Sequence, residues 1–562
     1  MKDDTNPTRR ELITSALALG AGRLVAPSEL QAAAPPGESR TFVNLLRAPD
    51  LLRAFGPDGE ITLTKNGPTS WSGRSTEIHL DQRPGRQALF LQSKEGVTRI
   101  QLRWRADLGQ NQRCLGDHWE RSYGDLEWRA HAPDRVMPWY FMAFDGYATH
   151  GYGVRTMPNA FCFWNADESG IALWADVRNG GGAVQLGGRR LEVCEIVCRR
   201  GTGGESPFAA TAAFCAQMCP APRLPSHTVY GTNDWNYAYG KNSAQLIERV
   251  SAVVSERSPD QANRPYSVID DGWSQGGLGR GPWLGNGRFG DMGALAQRLR
   301  KMGVRPGIWF RPLTTLEDQP DAWRLARSKQ VLDPTVPDAL QVISNNVRRL
   351  REWGYELLKH DYTSFDLLGR WGFAMGARLT DDNWQFGDRG RTTAEIVLDL
   401  YRAIREAAGD MVIIGCNTFS HLSAGIFELY RSGDDTSGRD WDRTRRMGVN
   451  TLAFRAAQHR HFYMVDPDIV AITKAIPWEL NEQWLRLVSA SGAGLFVSVE
   501  PEAMGPAQDR ALAAALAIAA RSQPTGEPVD WMQTVCPREW TLRGKKVTFN
   551  WIGEVGSWPF GE

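Results

Sequence analysis

Two short segments, well separated along the chain, carry side chains able to do chemistry. The first, Tyr355-Glu356-Leu357-Leu358-Lys359-His360-Asp361, is an apolar run ending in Lys-x-Asp. The second, Phe427-Glu428-Leu429-Tyr430-Arg431-Ser432-Gly433-Asp434-Asp435, ends in Arg-x-x-x-Asp. Side chains alternate faces along an extended strand. Lys359 and Asp361 therefore share a face, with His360 on the other. The same count puts Arg431 and Asp435 together and Asp434 opposite. Each segment thus presents a carboxylate beside a fixed cation at the end of a strand. Two carboxylates brought together in this way are equipped to cleave a glycosidic bond, one attacking as the anion while the other, protonated, releases the leaving group.

The elements that must position these residues follow from a change of texture along the chain. Residues 39–223 hold short alternating runs, such as Arg99-Ile100-Gln101-Leu102-Arg103-Trp104, broken by Gly, Asn, Asp and Pro. Many short strands with turn signals predict an N-terminal β-sandwich. From residue 228 onward, buried-looking strands alternate with amphipathic helical stretches. Strands are expected at 228–235, 266–273, 305–311, 355–361, 411–417, 427–435, 461–466 and 494–499. Helices are expected at 243–255, 292–302, 337–353, 393–408, 440–458 and 478–489. Eight β-then-α units over 224–503 predict a (β/α)8 TIM barrel, an α/β fold whose functional residues sit at the C-terminal ends of the strands. Residues 504–562 read as a last helix, 507–521, and a short C-terminal β extension.

Five strand-end motifs then stand in order: Asn233-Asp234-Trp235, Asp270-Asp271-Gly272-Trp273, Gly307-Ile308-Trp309-Phe310, Lys359-His360-Asp361 and Arg431-x-x-x-Asp435. Asp466-Pro467-Asp468 joins them on the seventh strand. Each alone has a plain structural explanation, an ion pair or an Asp-Gly turn; their order on strands of one barrel does not. Together they resemble the α-galactosidase (melibiase) clan of retaining glycoside hydrolases and related transglycosidases. The segments Gly116-Asp117-His118-Trp119-Glu120-Arg121 and Leu332-Asp333-Pro334-Thr335 are similar to its sandwich-plus-barrel branch. The resemblance implies Asp361 as nucleophile and Asp435 as acid/base. It implies that Asp270 and Asp271 accept from the sugar's 4- and 6-hydroxyls, that Lys359 and Arg431 hold other hydroxyls, and that Trp235 and Trp273 line the pocket. Trp309, Cys416 and Asn417 complete the expected binding set, the loop 415–421 reading the sugar's 2-substituent. Trp119 is a candidate for a sandwich residue that reaches the pocket. Two departures stand out: Trp309-Phe310-Arg311-Pro312, where relatives often have Trp-Phe-Glu-Pro, and a fifth-strand loop without a Gly-rich run.

The chemistry sets an electrostatic expectation. At about 5 Å and an effective dielectric near 20, one carboxylate opposes ionising the other by roughly 3 kcal/mol. That is about two pKa units, enough to keep Asp435 protonated, provided Arg431 leans toward the sugar or toward Asp361 instead of pairing with Asp435.

Composition narrows the remaining classes. A net charge of +1 over 562 residues gives no electrostatic reason for nucleic acid or a membrane surface. The partner implied is an oligosaccharide or glycoconjugate, to which 22 Trp are well suited; an oligomer is compatible with this reading. Neither a Gly-x-Gly-x-x-Gly after a strand nor a metal-ligand cluster is present, so no cofactor and no metal are expected. Eight Cys lack paired zinc spacing, and His360 and His421 read as ordinary polar or core positions. Arg9-Arg10, a weakly apolar stretch and Ala32-Ala33-Ala34 before Pro35 read as a twin-arginine signal over 1–34, hence a periplasmic or secreted protein in which disulfides would be permitted. The rival classes are a clan relative acting on another α-sugar (an α-N-acetylgalactosaminide or α-glucoside), a transglycosidase, and a catalytically silent carbohydrate-binding protein.

Overall fold

The computed structural model describes residues 41–109, 111–277, 279–554 and 556–557. The export signal expected over residues 1–34 lies outside them. The first half is antiparallel. A six-stranded sheet runs in the order Met137–Pro138, Phe161–Asp167, Gly170–Asp176, Arg99–Arg105, Leu51–Gly56, Gly59–Ile61. A nine-stranded sheet is centred on Arg86–Ser93, Arg190–Arg199 and Thr149–Val154. Period-two alternation explains these strands: in Arg99–Arg105, Ile100, Leu102 and Trp104 are fully buried while their neighbours face outward. Trp164, Tyr152 and Phe141 fill the same core.

The second half is built on a parallel sheet. Its strands are β1 (Tyr230–Asn233), β2 (Tyr266–Ile269), β3 (Arg305–Phe310), β4 (Leu357–His360), β5 (Val412–Gly415), β6 (Leu429–Arg431), β7 (Met464–Asp466), β8 (Ile469–Ile472) and β9 (Leu495–Val499). The spatial order is β7-β6-β5-β4-β3-β2-β1-β9-β8, every pairing being parallel. The edge segments β7 and β8 are separated in sequence by Pro467 and Asp468 alone. The strand expected at 461–466 is shortened to Met464–Asp466, and a further strand that was not expected, Ile469–Ile472, follows it past Asp468, whose φ of +70° breaks the extended backbone. Most of these strands are buried on both faces, as parallel strands packed between helices must be. On one face Val268, Leu357, Ile414, Leu429, Met464 and Phe496 pack into an apolar cluster of their own, distinct from the main core.

The helices follow their caps. Ser243 accepts from the Leu246 amide to start Ala244–Glu256, and Thr392 with Glu395 forms a capping box ahead of Thr393–Ala408. The single helix expected at 440–458 is instead a π-helical turn, Arg445–Asn450, between short helical pieces. Gly448 lies there against the Trp484 ring, where a Cβ would come within 2.7 Å. A helix Pro506–Ala519 and a three-stranded antiparallel sheet (Glu527–Pro528, Glu539–Leu542, Lys545–Thr548) end the chain. All eight cysteines are free thiols, so the permitted disulfides are not formed. Among the described residues no helix is long and apolar enough to cross a membrane.

Candidate active site

The C-terminal ends of β1 to β6 converge on a cavity of about 290 Å³. Trp235, Asp270, Asp271, Trp309, Lys359, Asp361, Asn417 and Asp435 all line it. Parallel register explains the meeting of three of them. Trp309 stands opposite Lys359 across β3 and β4, and Asp361 follows one residue after β4, where its amide still donates to the Phe310 carbonyl. Tyr362 then turns the chain in left-handed backbone, φ +66°.

Asp361 is nearly buried and heavily held. Its Oδ2 accepts from Trp309 Nε1 at 2.9 Å. Its Oδ1 accepts from Asn417 Nδ2 at 2.5 Å, from the Tyr362 amide at 2.7 Å and from the Asn417 amide at 3.2 Å. Burial pushes its carboxyl up, but the charges of Lys359 and Arg121 and the bonds from Trp309 and Asn417 outweigh it, so the group stays below the usual carboxylate range. Asn417 spends its amide donor on Asp361, and its Oδ1, buried at the cavity wall, makes no hydrogen bond with the protein.

Asp270 Oδ2 accepts from Lys359 Nζ at 2.6 Å and from Asn233 Nδ2 at 2.8 Å. Asp234 lies behind it, taking the Asp270 amide on Oδ1 and Asn242 on Oδ2. Burial and the neighbouring Asp270 charge push the Asp234 carboxyl up to about 7. Asp271, beside Asp270 at the cavity wall, is pushed up to about 6 by burial first, then by Asp270.

The surroundings of Asp435 differ from the electrostatic expectation. Arg431 does not lean toward the cavity or Asp361. It is fully buried behind Asp435, with Nη2 at 3.1 Å from Asp435 Oδ1 and Nη1 at 3.1 Å from Asp468 Oδ1. Arg121 adds a second cation at 3.3 Å from the same Asp435 oxygen. Burial works against ionisation, but the two guanidinium charges, with Lys359 next, hold the Asp435 carboxyl well below the ordinary range.

Four further expectations are corrected. Trp273 is fully buried, donating to the Trp309 carbonyl and packing on Trp283 and Trp353. Gly272, at φ +111° with no room for a Cβ against the Gly240 carbonyl, turns the chain and takes Trp273 out of the pocket. Cys416 is buried behind the wall, its Sγ 3.3 Å from Arg431 Nη1 and 3.8 Å from Arg121 Nη1. Asp434 lines the cavity beside Asp435, because β6 ends at Arg431 and face alternation ends with it. Trp119 is core, edge-on to Trp139 and Phe161, and does not reach the pocket. Arg311, the departure on the third strand, pairs with Asp366 at 2.5 Å and stacks on Tyr362 at 4.1 Å. His360 and His421 are buried, bonded to Thr363 and to the Val154 carbonyl.

Sequence reasoning missed Arg121, Tyr123, Tyr362, Trp371 and Phe373, all of which line the cavity. Arg121 comes from the antiparallel half. A backbone bridge between Ser122 and Gly433 ties its segment to the end of β6, and Arg121 Nη2 pairs with Asp434 at 2.5 Å. The signal was present in the run Gly116–Arg121, whose charged end no strand-end rule explains.

With this geometry in hand, comparison with solved structures is informative. An α-galactosidase from Thermus thermophilus, solved with p-nitrophenyl α-D-galactopyranoside, superposes with a TM-score of 0.56 and 18% identity, covering 87% of this chain and 99% of that one. The family 36 α-galactosidase AgaB from Geobacillus stearothermophilus gives 0.56 and 12%, covering 84% and 72%. A variant of its AgaA counterpart, solved with raffinose, gives 0.54 and 11%, covering 83% and 75%. The fold is that of these α-galactosidases. At such identities the likeness is one of fold. The sequence matches no family profile and no curated protein.

Proposed function

We propose that this protein is a retaining, exo-acting α-galactosidase, a glycoside hydrolase that removes terminal α-galactosyl groups by double displacement without a cofactor. One observation carries the reading: Asp361 and Asp435 line a single cavity together with Arg121, Asp270, Asp271, Lys359, Asn417 and Asp434. Asp361, an anion fixed by four donors, is the nucleophile. Its carboxylate forms the bond to the anomeric carbon as the bond to the leaving oxygen breaks. Asp435 supplies the proton to that oxygen and afterwards takes one from the attacking water. Because Arg121 and Arg431 both contact the Asp435 carboxyl and lower its pKa, the protonated state is favoured by acidic conditions. Asp270 and Asp271 accept from the sugar's 4- and 6-hydroxyls, and Lys359 is shared between Asp270 and the sugar. Asn417, which lines the cavity and is bonded to the nucleophile, belongs to the fifth-strand loop that the resemblance assigns to the sugar's 2-substituent.

The same proposal takes the parallel sheet as a closed (β/α)8 barrel over 224–503, its β7 and β8 being one interrupted strand, with the antiparallel sheets of 39–223 as an N-terminal sandwich and 504–562 as the C-terminal extension. It places the protein outside the cytoplasm, on the strength of Arg9-Arg10 and the stretch that follows. The test is hydrolysis of p-nitrophenyl α-galactoside beside the matching N-acetylgalactosaminide and α-glucoside. Galactoside turnover that disappears in Asp361→Asn supports the proposal. Full activity in that variant removes the nucleophile assignment. Asp435→Asn is expected to lose far more on raffinose than on the p-nitrophenyl substrate, whose leaving group needs no proton.

A further inference from the structure

The floor of the cavity is polar, but one side of its mouth is not. Tyr123, Trp371 and Phe373 line it together. Phe373 is 65% exposed, the most exposed large apolar side chain among the described residues. It stands edge-on to Tyr123, centroids 5.1 Å apart at 84°. Trp371 is stacked on Phe365 at 4.5 Å and edge-on to Tyr362 at 5.4 Å.

These rings are held in place. The Gly372 amide donates to Glu120 Oε1 at 2.8 Å and to the Tyr123 hydroxyl at 3.1 Å. Trp119 Nε1 donates to the Gly376 carbonyl at 2.9 Å, and Ser364 and Tyr123 both donate to Glu120. Gly372 has no alternative residue, since a Cβ there would lie 2.4 Å from Glu120 Cγ. The fold therefore holds an apolar ring in water at the mouth of a polar cavity, where burial elsewhere would have been favourable.

The rings flank Asp435. The Arg121 guanidinium, which contacts Asp435, lies 6.0 Å from the Tyr123 ring centroid and 5.8 Å from that of Trp371. The sugar's hydroxyl-binding groups are on the floor, so the group that departs past Asp435 meets the rings.

We infer that Tyr123, Trp371 and Phe373 form a leaving-group subsite that stacks on the flat apolar face of a ring attached to the scissile oxygen. This rests on the α-galactosidase reading above. Such a face is offered by an aryl group or by the C–H face of a pyranose, and the test separates the two. Three substrates are compared: methyl, phenyl and glucosyl α-galactosides, the last being the (1→6)-linked disaccharide. The measured quantity is kcat/KM on each ring substrate divided by kcat/KM on the methyl glycoside, so that intrinsic reactivity cancels between enzymes.

Phe373→Ala is expected to lower the ratio by about 3- to 10-fold, the size of one aromatic contact. Phe373→Tyr, which keeps the ring, is expected to restore it. A fall for the phenyl substrate alone assigns the subsite to aryl groups, and a fall for the disaccharide alone assigns it to sugars. An unchanged ratio in a folded Phe373→Ala protein, or an equal fall in Phe373→Tyr, overturns the subsite while the α-galactosidase reading stands. If the wild-type protein cleaves none of the three, that reading fails, and titration calorimetry with the phenyl and methyl glycosides decides the subsite separately. Ring-selective binding lost in Phe373→Ala supports it; equal or absent binding overturns it.

Discussion

Replacing Arg121 by Gln removes one of the two cations on Asp435 and leaves the other in place. At the 3.3 Å separation of Arg121 Nη1 and Asp435 Oδ1, an effective dielectric of 20 gives an attraction of about 5 kcal/mol. The Asp435 side chain is 37% exposed, and solvent screening reduces this to about 1–2 kcal/mol, or about one pKa unit. The sign is fixed by charge. A cation stabilises the carboxylate form, so its loss raises the Asp435 pKa. Asp361 also feels the field of Arg121, so its pKa rises too, by less. On the proposed mechanism the active form has Asp361 ionised and Asp435 protonated. With both values raised, that form persists to higher pH, and the basic limb of kcat/KM moves up by about one pH unit. The assay is kcat/KM against pH on raffinose, whose leaving group needs the proton. Arg121→Lys, which keeps the charge, is expected to hold the wild-type limb. Circular dichroism confirms that both variants are folded. A basic limb in Arg121→Gln that stays put or moves to lower pH would refute the electrostatic argument.

Asn417→Ala removes a hydrogen bond of 2.5 Å to Asp361, the proposed nucleophile; such bonds to charged groups contribute about 1.5–3 kcal/mol, so kcat/KM on p-nitrophenyl α-galactoside is expected to fall by about 10- to 100-fold. Arg455 is fully buried and holds Asp117 through Nε at 2.9 Å and Nη2 at 2.5 Å. Arg455→Leu, which strands that charge, is expected to lower unfolding stability by about 3–5 kcal/mol in urea, and Arg455→Leu with Asp117→Leu to recover part of it. With all eight thiols free, dithiothreitol is expected to leave the unfolding midpoint where it was, and a lower midpoint would reveal a disulfide.

What was legible in the chain was whatever a single strand encodes. Lys359 and Asp361 share a face because alternation runs unbroken from Leu357 to His360, and the caps at Ser243 and Thr392 announce helices locally. The same counting failed where the strand stopped. Past Arg431 the backbone is held by Ser122, a residue more than three hundred positions earlier, whose carbonyl accepts the Asp434 amide at 2.8 Å. That cross-link turns both Asp434 and Asp435 into the cavity and delivers Arg121 to them, and no periodicity in either segment predicts it. Gly272 acts likewise on Trp273: a turn made for close approach to Gly240 overrides the alternation that would have aimed the indole inward. The misplacement of Arg431, and the Arg121 that the strand-end motifs omit, have the same root. From the strand ends alone, two carboxylates face each other and one must take a proton. With Arg121 supplied from the antiparallel half, two cations hold the Asp435 carboxyl below the ordinary range, so the acidity of the site is tuned by a residue that the parallel sheet does not carry.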